Sequence, residues 1–127
     1  MNINIQTINH SNQRYETVGD YWIDEKHNWQ IRISNMNNWK YELLVAIHEL
    51  IEFSLCTDRE IKEEDISAFD VMFEGEGKKG LWKDEEPGFD YRSPYREEHI
   101  FATRIEKMIA EELNIHWDEY EKVVNEL

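Results

Sequence analysis

The chain has 127 residues and a formal net charge of −14; 40% of its residues are hydrophobic and 13% aromatic. That length gives one domain, 1–127, with a single core, and that aromatic content excludes a disordered chain despite the charge. The acidity disfavours direct binding to nucleic acid or anionic lipid, and it favours metals, cationic ligands or a basic protein partner.

Taken in order, the chain starts with a strand. Ile3 and Ile5 alternate with Asn2, Asn4 and Gln6, which predicts a short half-buried strand over 2–8. Residues 9–19 are polar and read as a loop. Two more short strands follow over 20–24 and 29–34, where Trp29, Ile31 and Ile33 alternate with Gln30, Arg32 and Ser34. Glu25–Asn28 suits a hairpin connection, with His27 exposed. The expected fold class is therefore α+β: a small N-terminal antiparallel sheet followed by three to four helices.

Asn37 or Asn38 is placed to cap a helix over 39–56. Leu44, Ile47, Ile51 and Leu55 are its expected buried side chains. A second helix begins near Glu63, where Ile61 and Ile66 have the spacing of a hydrophobic staple. Ile66, Phe69, Met72 and Phe73 form its apolar face. Thr57 and Glu60 offer an alternative start as a capping box. Residues 75–93 contain Gly75, Gly77, Gly80, Gly88 and Pro87, and they read as a lid, a binding loop or a surface loop. Leu81, Trp82, Phe89 and Tyr91 suggest that this loop folds back onto something apolar. Ser93-Pro94 opens a third helix, to about Leu113, with Phe101, Ile105, Met108, Ile109 and Leu113 toward the core. Asn114 ends it in a left-handed cap, and a short helix over 117–125 completes the chain.

The single cysteine, Cys56, excludes an intrachain disulfide and a zinc finger, and reads as a small buried hydrophobe. No stretch reaches the roughly 18 apolar residues of a membrane span and the N-terminus has no basic leader, so a soluble cytoplasmic protein is expected.

The helix over 39–56 organises the rest. From Leu43 to Cys56 it is apolar nearly all round, which marks a central, buried helix. His48 and Glu52 interrupt it four residues apart, on one face, and Glu49 lies about 100° round from His48. Buried carboxylates need partners or a metal. His48-Glu49-Leu50-Ile51-Glu52 is an HExxE segment. In HExxH helices, two ligands four apart hold one zinc, and the glutamate beside the first activates its water. Here Glu52 takes the second ligand position and Glu49 keeps the base position. A third ligand must come from elsewhere. His99 is the first candidate and Asp70 the second; His10 and His116 follow.

With these features the chain resembles the zincin metallopeptidases, in particular minimal gluzincin-like members, over roughly residues 20–105. The resemblance implies a divalent metal, zinc first, held by His48 and Glu52, with Glu49 as the base in a hydrolysis of a peptide or small-molecule substrate. Glu52 stands where that family carries its second histidine, so manganese or magnesium are alternatives. The chain is also similar to small bacteriophage proteins, a resemblance that implies no activity.

Other readings of the same residues stay open. His48, Glu49 and Glu52 also fit a solvent-facing stripe on a core helix. Glu49 and Glu52 form an ExxE, as in helical magnesium-dependent nucleotide pyrophosphohydrolases. The net charge fits a non-enzymatic acidic interaction protein that covers a basic surface of its partner. His10, Gln13, Arg14 and Tyr15 suit a small-molecule pocket beside the central helix, with Arg14 the group for an anionic ligand. There is no phosphate-binding glycine loop and no serine or cysteine nucleophile motif.

Overall fold

A computed structural model describes residues 1–127. It is an α+β domain with strands β1 (Ile3–Ile8), β2 (Gly19–Ile23) and β3 (Trp29–Ser34), then helices α1 (Trp39–Asp58), α2 (Glu63–Lys78), α3 (Arg96–Glu112) and α4 (Trp117–Asn125). The small N-terminal sheet and the helices after it are those expected. The β2–β3 hairpin is antiparallel, with Tyr21 opposite Ile31. However, β1 pairs in parallel with β3, Ile5 opposite Ile31, so the sheet is mixed, in the order β1-β3-β2. The cause lies in residues 9–18, which cross the end of β3 and deliver the chain to its far edge. Gln13 Nε2 pins this crossing by donating to the carbonyls of Val18 and Arg32 and to Ser34 Oγ.

Ile31 and Ile33 point from β3 into the core, which α1 closes from above. Phe53 of α1 lies over Tyr21 and Trp29, with ring centroids 4.6 and 4.4 Å away. β1 lies outside that cover. Its Ile3 and Ile5 remain 48% and 44% exposed, more than a half-buried strand implies.

Asn38 caps α1 by accepting from the amides of Lys40 and Tyr41. Thr57 falls inside this helix, its hydroxyl donating to Phe53 O, so the Thr57–Glu60 capping box does not form. Leu44 is fully buried, but Ile47, Ile51 and Leu55 are only half-buried. The buried side of α1 is instead Leu44, Val45, His48, Glu52, Phe53 and Cys56. It points inward because the sheet, α2 and α3 all meet it there, and because its polar members find partners. Leu44→Ala is expected to cost about 2–5 kcal/mol in urea denaturation. A loss below about 1 kcal/mol would mean that Leu44 contributes little to the core.

Ile61 and Ile66 form the expected staple, in a second apolar cluster with Cys56, Phe69, Phe73 and Tyr95. Met72 is not part of it and stays 44% exposed. α2 continues to Lys78, so Gly75 and Gly77 lie in its last turns and not in the loop. A side chain at Gly77 would overlap the Trp82 ring. That ring stacks on Phe73, and its Nε1 donates to Phe73 O at 3.1 Å. The loop thus folds back onto α2.

α3 starts at Arg96, two residues later than a Ser93 cap with Pro94 in the first helical position would place it, because Ser93-Pro94 is taken up in a turn where Ser93 Oγ accepts from the Tyr95 amide. Its inward face is also a correction. Phe101 and Met108 are 44% and 61% exposed, while Glu98, His99, Ala102, Thr103, Glu106 and Ala110 are buried. Small and hydrogen-bonding side chains occupy the seam with α1, Phe101 and Met108 turn outward, and Ile109 and Leu113 pack against the core as expected. Asn114 adopts the expected left-handed conformation, and α4 runs 117–125 as expected. No helix is long and apolar enough to cross a membrane.

Candidate metal centre

α1 and α3 lie side by side and antiparallel. At one end Arg59 pairs with Glu98, and at the other Lys40 Nζ donates to Leu113 O. Near the middle of this seam three side chains converge. His48 Nε2 lies 3.0 Å from Glu52 Oε2, His99 Nδ1 lies 2.7 Å from the same oxygen, and the two nitrogens are 3.1 Å apart. All three residues are buried. Ligands placed 2.0–2.2 Å from one tetrahedral ion stand about 3.3 Å from each other, so this spacing suits a single cation.

Each of the three is held from behind. His48 Nδ1 lies 2.8 Å from Glu106 Oε1, so an Nδ1–H donated there leaves the Nε2 lone pair facing the centre. His99 is held the other way round, with Nε2 3.1 Å from Glu86 Oε2 and Nδ1 facing in. The Tyr21 hydroxyl donates to Glu52 Oε1 at 2.8 Å. Metal-binding histidines and carboxylates are usually oriented by such outer partners.

The electrostatics follow from burial and pairing. Burial opposes ionisation of Glu52, but hydrogen bonds from His48 and His99 outweigh it and hold the carboxyl down at about 2. Burial likewise disfavours protonated histidine. Against it, Glu106 and Glu52 raise His48, while Glu52 and Glu86 lift His99 to about 9. Glu49 is different. Its carboxylate lies against Gly19 in the cavity wall, and burial together with the Glu52 charge pushes it up to about 8.

A cavity of about 680 Å³ opens in front of these groups. Asp70 lines it without joining the cluster. Its carboxylate accepts from Tyr95 Oη at 2.5 Å, and burial raises it to about 7. His10, on another wall, is bound to Ser34 and Glu16. Tyr15 also lines the cavity. Arg14 is committed to Asp20 through two hydrogen bonds and lies over the Trp22 ring, an arrangement that already neutralises the group suggested for an anionic ligand. His116 is exposed at the start of α4, and His27 is exposed in the hairpin turn. The solvent-facing stripe is thereby excluded for His48 and Glu52. No protein-family model, curated protein or solved structure matches the chain.

The sequence reading missed Glu106, Glu86, Tyr21 and Gly88. Glu106 had a usable signal, since His99, Thr103 and Glu106 recur at helical spacing along one face of α3. The other three come from separate strands and loops and had none. Gly88 closes the centre from the loop side. A side chain there would overlap the His99 ring, which also meets the edge of Phe89 with centroids 4.5 Å apart. Gly88→Ala is therefore expected to displace His99 and weaken divalent-metal affinity by roughly 10- to 100-fold, the usual effect of disturbing a ligand's support. Calorimetric titration checks this, and unchanged affinity would show that the loop does not position His99.

Proposed function

We propose that the protein is a divalent-metal-dependent hydrolase in which His48, Glu52 and His99 hold the metal and Glu49 is the general base. The carrying observation is the three-atom convergence, with an outer partner behind every ligand. Two imidazoles and one carboxylate form the same kind of donor set that holds catalytic zinc in hydrolases of the His₂Glu type. The replacement of the second histidine by Glu52 is thus made good by His99. Bound there, a divalent cation supplies Lewis acidity and lowers the pKa of water.

The chain's own groups do the rest. Glu106 and Glu86 keep the ring nitrogens at the centre free of protons once the cation is present. Glu49 accepts a proton from water and returns it to the leaving group. A carboxyl tuned upward from its ordinary 4.5 toward neutrality suits both halves of that task. The cavity wall is rich in carboxylates, among them Asp20, Glu63, Asp70 and Glu85. It favours a neutral or cationic substrate, such as a peptide or an amine-bearing small molecule, over a nucleoside polyphosphate.

Metal analysis of untagged protein purified without chelator tests the reading. About one equivalent of divalent metal, zinc first, is expected in the native protein, with at least a tenfold lower content in His99→Ala. A chain that takes up no divalent cation at micromolar concentration would sink the proposal. Iron as the resident metal would redirect it toward oxygen chemistry, since this donor set also suits ferrous iron.

A further inference from the structure

Asp70 faces the cavity but takes no place in the metal cluster, and its surroundings suit a different kind of cation. It is firmly held. Ile66, Phe69 and Phe73 anchor its helix in the apolar cluster that contains Tyr95, and the Tyr95 hydroxyl donates to Asp70 Oδ1. Tyr95 is buried and stands one helical turn before His99, whose amide donates to Tyr95 O. The two rings meet edge to face, with centroids 6.1 Å apart. One turn rises about 5.4 Å, so the arm of the cavity at Asp70 opens directly beside the metal centre. No lysine or arginine of the chain answers this carboxylate. Lys107 is the only one on the cavity wall, and it lies over the Trp117 ring at the other end. Arg14 is committed to Asp20 and comes within 3.6 Å of Glu63. No second group of three metal-binding side chains forms either, so Asp70 lacks the companions that a bare ion needs. Tyr15, from the 9–18 crossing, lines the same cavity close enough to feel the Asp70 charge.

We propose that Asp70 is the specificity-determining residue of the metal site and binds an ammonium group of the substrate, in a subsite that Tyr15 and Tyr95 complete. The inference deepens the hydrolase reading and rests on it for the reaction next door. Asp70 Oδ1 takes the Tyr95 proton, which leaves the second oxygen for an N–H donor. A charge-assisted hydrogen bond there is joined by the attraction of a cation to neighbouring aromatic rings. An organic ammonium needs a single carboxylate of this kind, whereas a metal ion needs several ligands at once. A substrate whose carbonyl lies at the centre brings two ammonium groups within reach of this arm. One is its own α-ammonium, and the other is the end of an extended basic side chain. The bound ammonium also supplies the opposite charge that a carboxylate in a buried setting lacks, so binding and ionisation of Asp70 reinforce each other.

The test reads binding and not turnover, by NMR titration near neutral pH of the zinc-loaded and the metal-free chain. The probes are lysinamide, norleucinamide, Nα-acetyl-lysinamide and Nα-acetyl-norleucinamide. They carry both ammonium groups, the α-ammonium alone, the side-chain ammonium alone and neither. Lysinamide is expected to bind roughly tenfold or more tightly than acetyl-norleucinamide, with shifts centred on Tyr15, Asp70 and Tyr95. The two probes with one ammonium show which of the groups the arm takes. Asp70→Asn keeps an acceptor for Tyr95 and loses the charge, so it should abolish the preference while zinc content stays native. Equal affinity for lysinamide and acetyl-norleucinamide, no binding of any probe, or a preference that survives in Asp70→Asn overturns the inference. Zinc uptake without the ammonium preference leaves the metal centre standing. The preference in a chain that takes up no zinc keeps the ammonium site and removes the hydrolase.

Discussion

Glu49→Gln is expected to lower turnover by roughly 100- to 10,000-fold, the range supplied by a positioned general base, while one equivalent of metal stays bound. Glutamine keeps the shape of the side chain and its place against Gly19 but cannot accept a proton. Glu49 is not one of the three converging groups, so its loss should leave metal affinity nearly intact. Glu52→Gln should do the reverse and empty the site, because it removes the only anionic member of the cluster. The measurement pairs metal analysis with hydrolysis of a panel of uncharged and basic peptides and amine-bearing esters. A Glu49→Gln protein with native turnover would remove Glu49 from the chemistry. A metal-loaded native chain inert toward the entire panel would count against hydrolysis of these substrates while leaving the metal centre standing.

The metal-free protein should be more stable near pH 5 than near pH 9, and a divalent cation should reverse that trend. Three groups give the sign. Glu49, raised by burial from 4.5 to about 8, and Asp70, raised by burial from 3.8 to about 7, favour the fold when protonated. Their contribution is complete below their ordinary values and is lost as pH rises through 7 and 8. His99 is raised from 6.5 to about 9 by its carboxylate partners against the effect of burial, and its contribution disappears between those values. Glu52 acts on the acid side only. Held at about 2 by His48 and His99 against its burial, it loses its contribution as pH falls below 4.5. The combined effect is on the order of a few kcal/mol, roughly 10 °C in Tm for a chain this long. Metal must displace the histidine protons, so its affinity rises with pH and binding releases protons. At 100 times its Kd it adds about 2.7 kcal/mol. Thermal melts across pH 5–9, with and without zinc, read both slopes. A metal-free Tm that rises toward pH 9 would contradict the protonation states assigned to the cavity.

The local pattern of the chain determined a good deal by itself. Strand alternation at Trp29–Ser34, the Asn38 cap, the staple of Ile61 and Ile66, the left-handed Asn114 and the span of α4 all depend on contacts within a few residues. A short window of sequence therefore contains them. The same holds for the pairing of His48 with Glu52, which helical spacing alone places on one face, and for the inference that an otherwise apolar helix cannot turn that face to water. Tertiary structure decided what depends on which surfaces meet. It ran β1 parallel to β3, because the 9–18 crossing is fixed by bonds to residues far along the chain. It also turned the expected faces of the two central helices part of the way round, burying His99 and Glu106 and leaving Met108 in solvent while Leu44 stayed inside. Hydrophobic periodicity assumes that the most apolar face points inward. That assumption fails where the interior holds a charged cluster whose members neutralise one another, because their hydrogen bonds offset a desolvation that no single residue in the sequence could withstand.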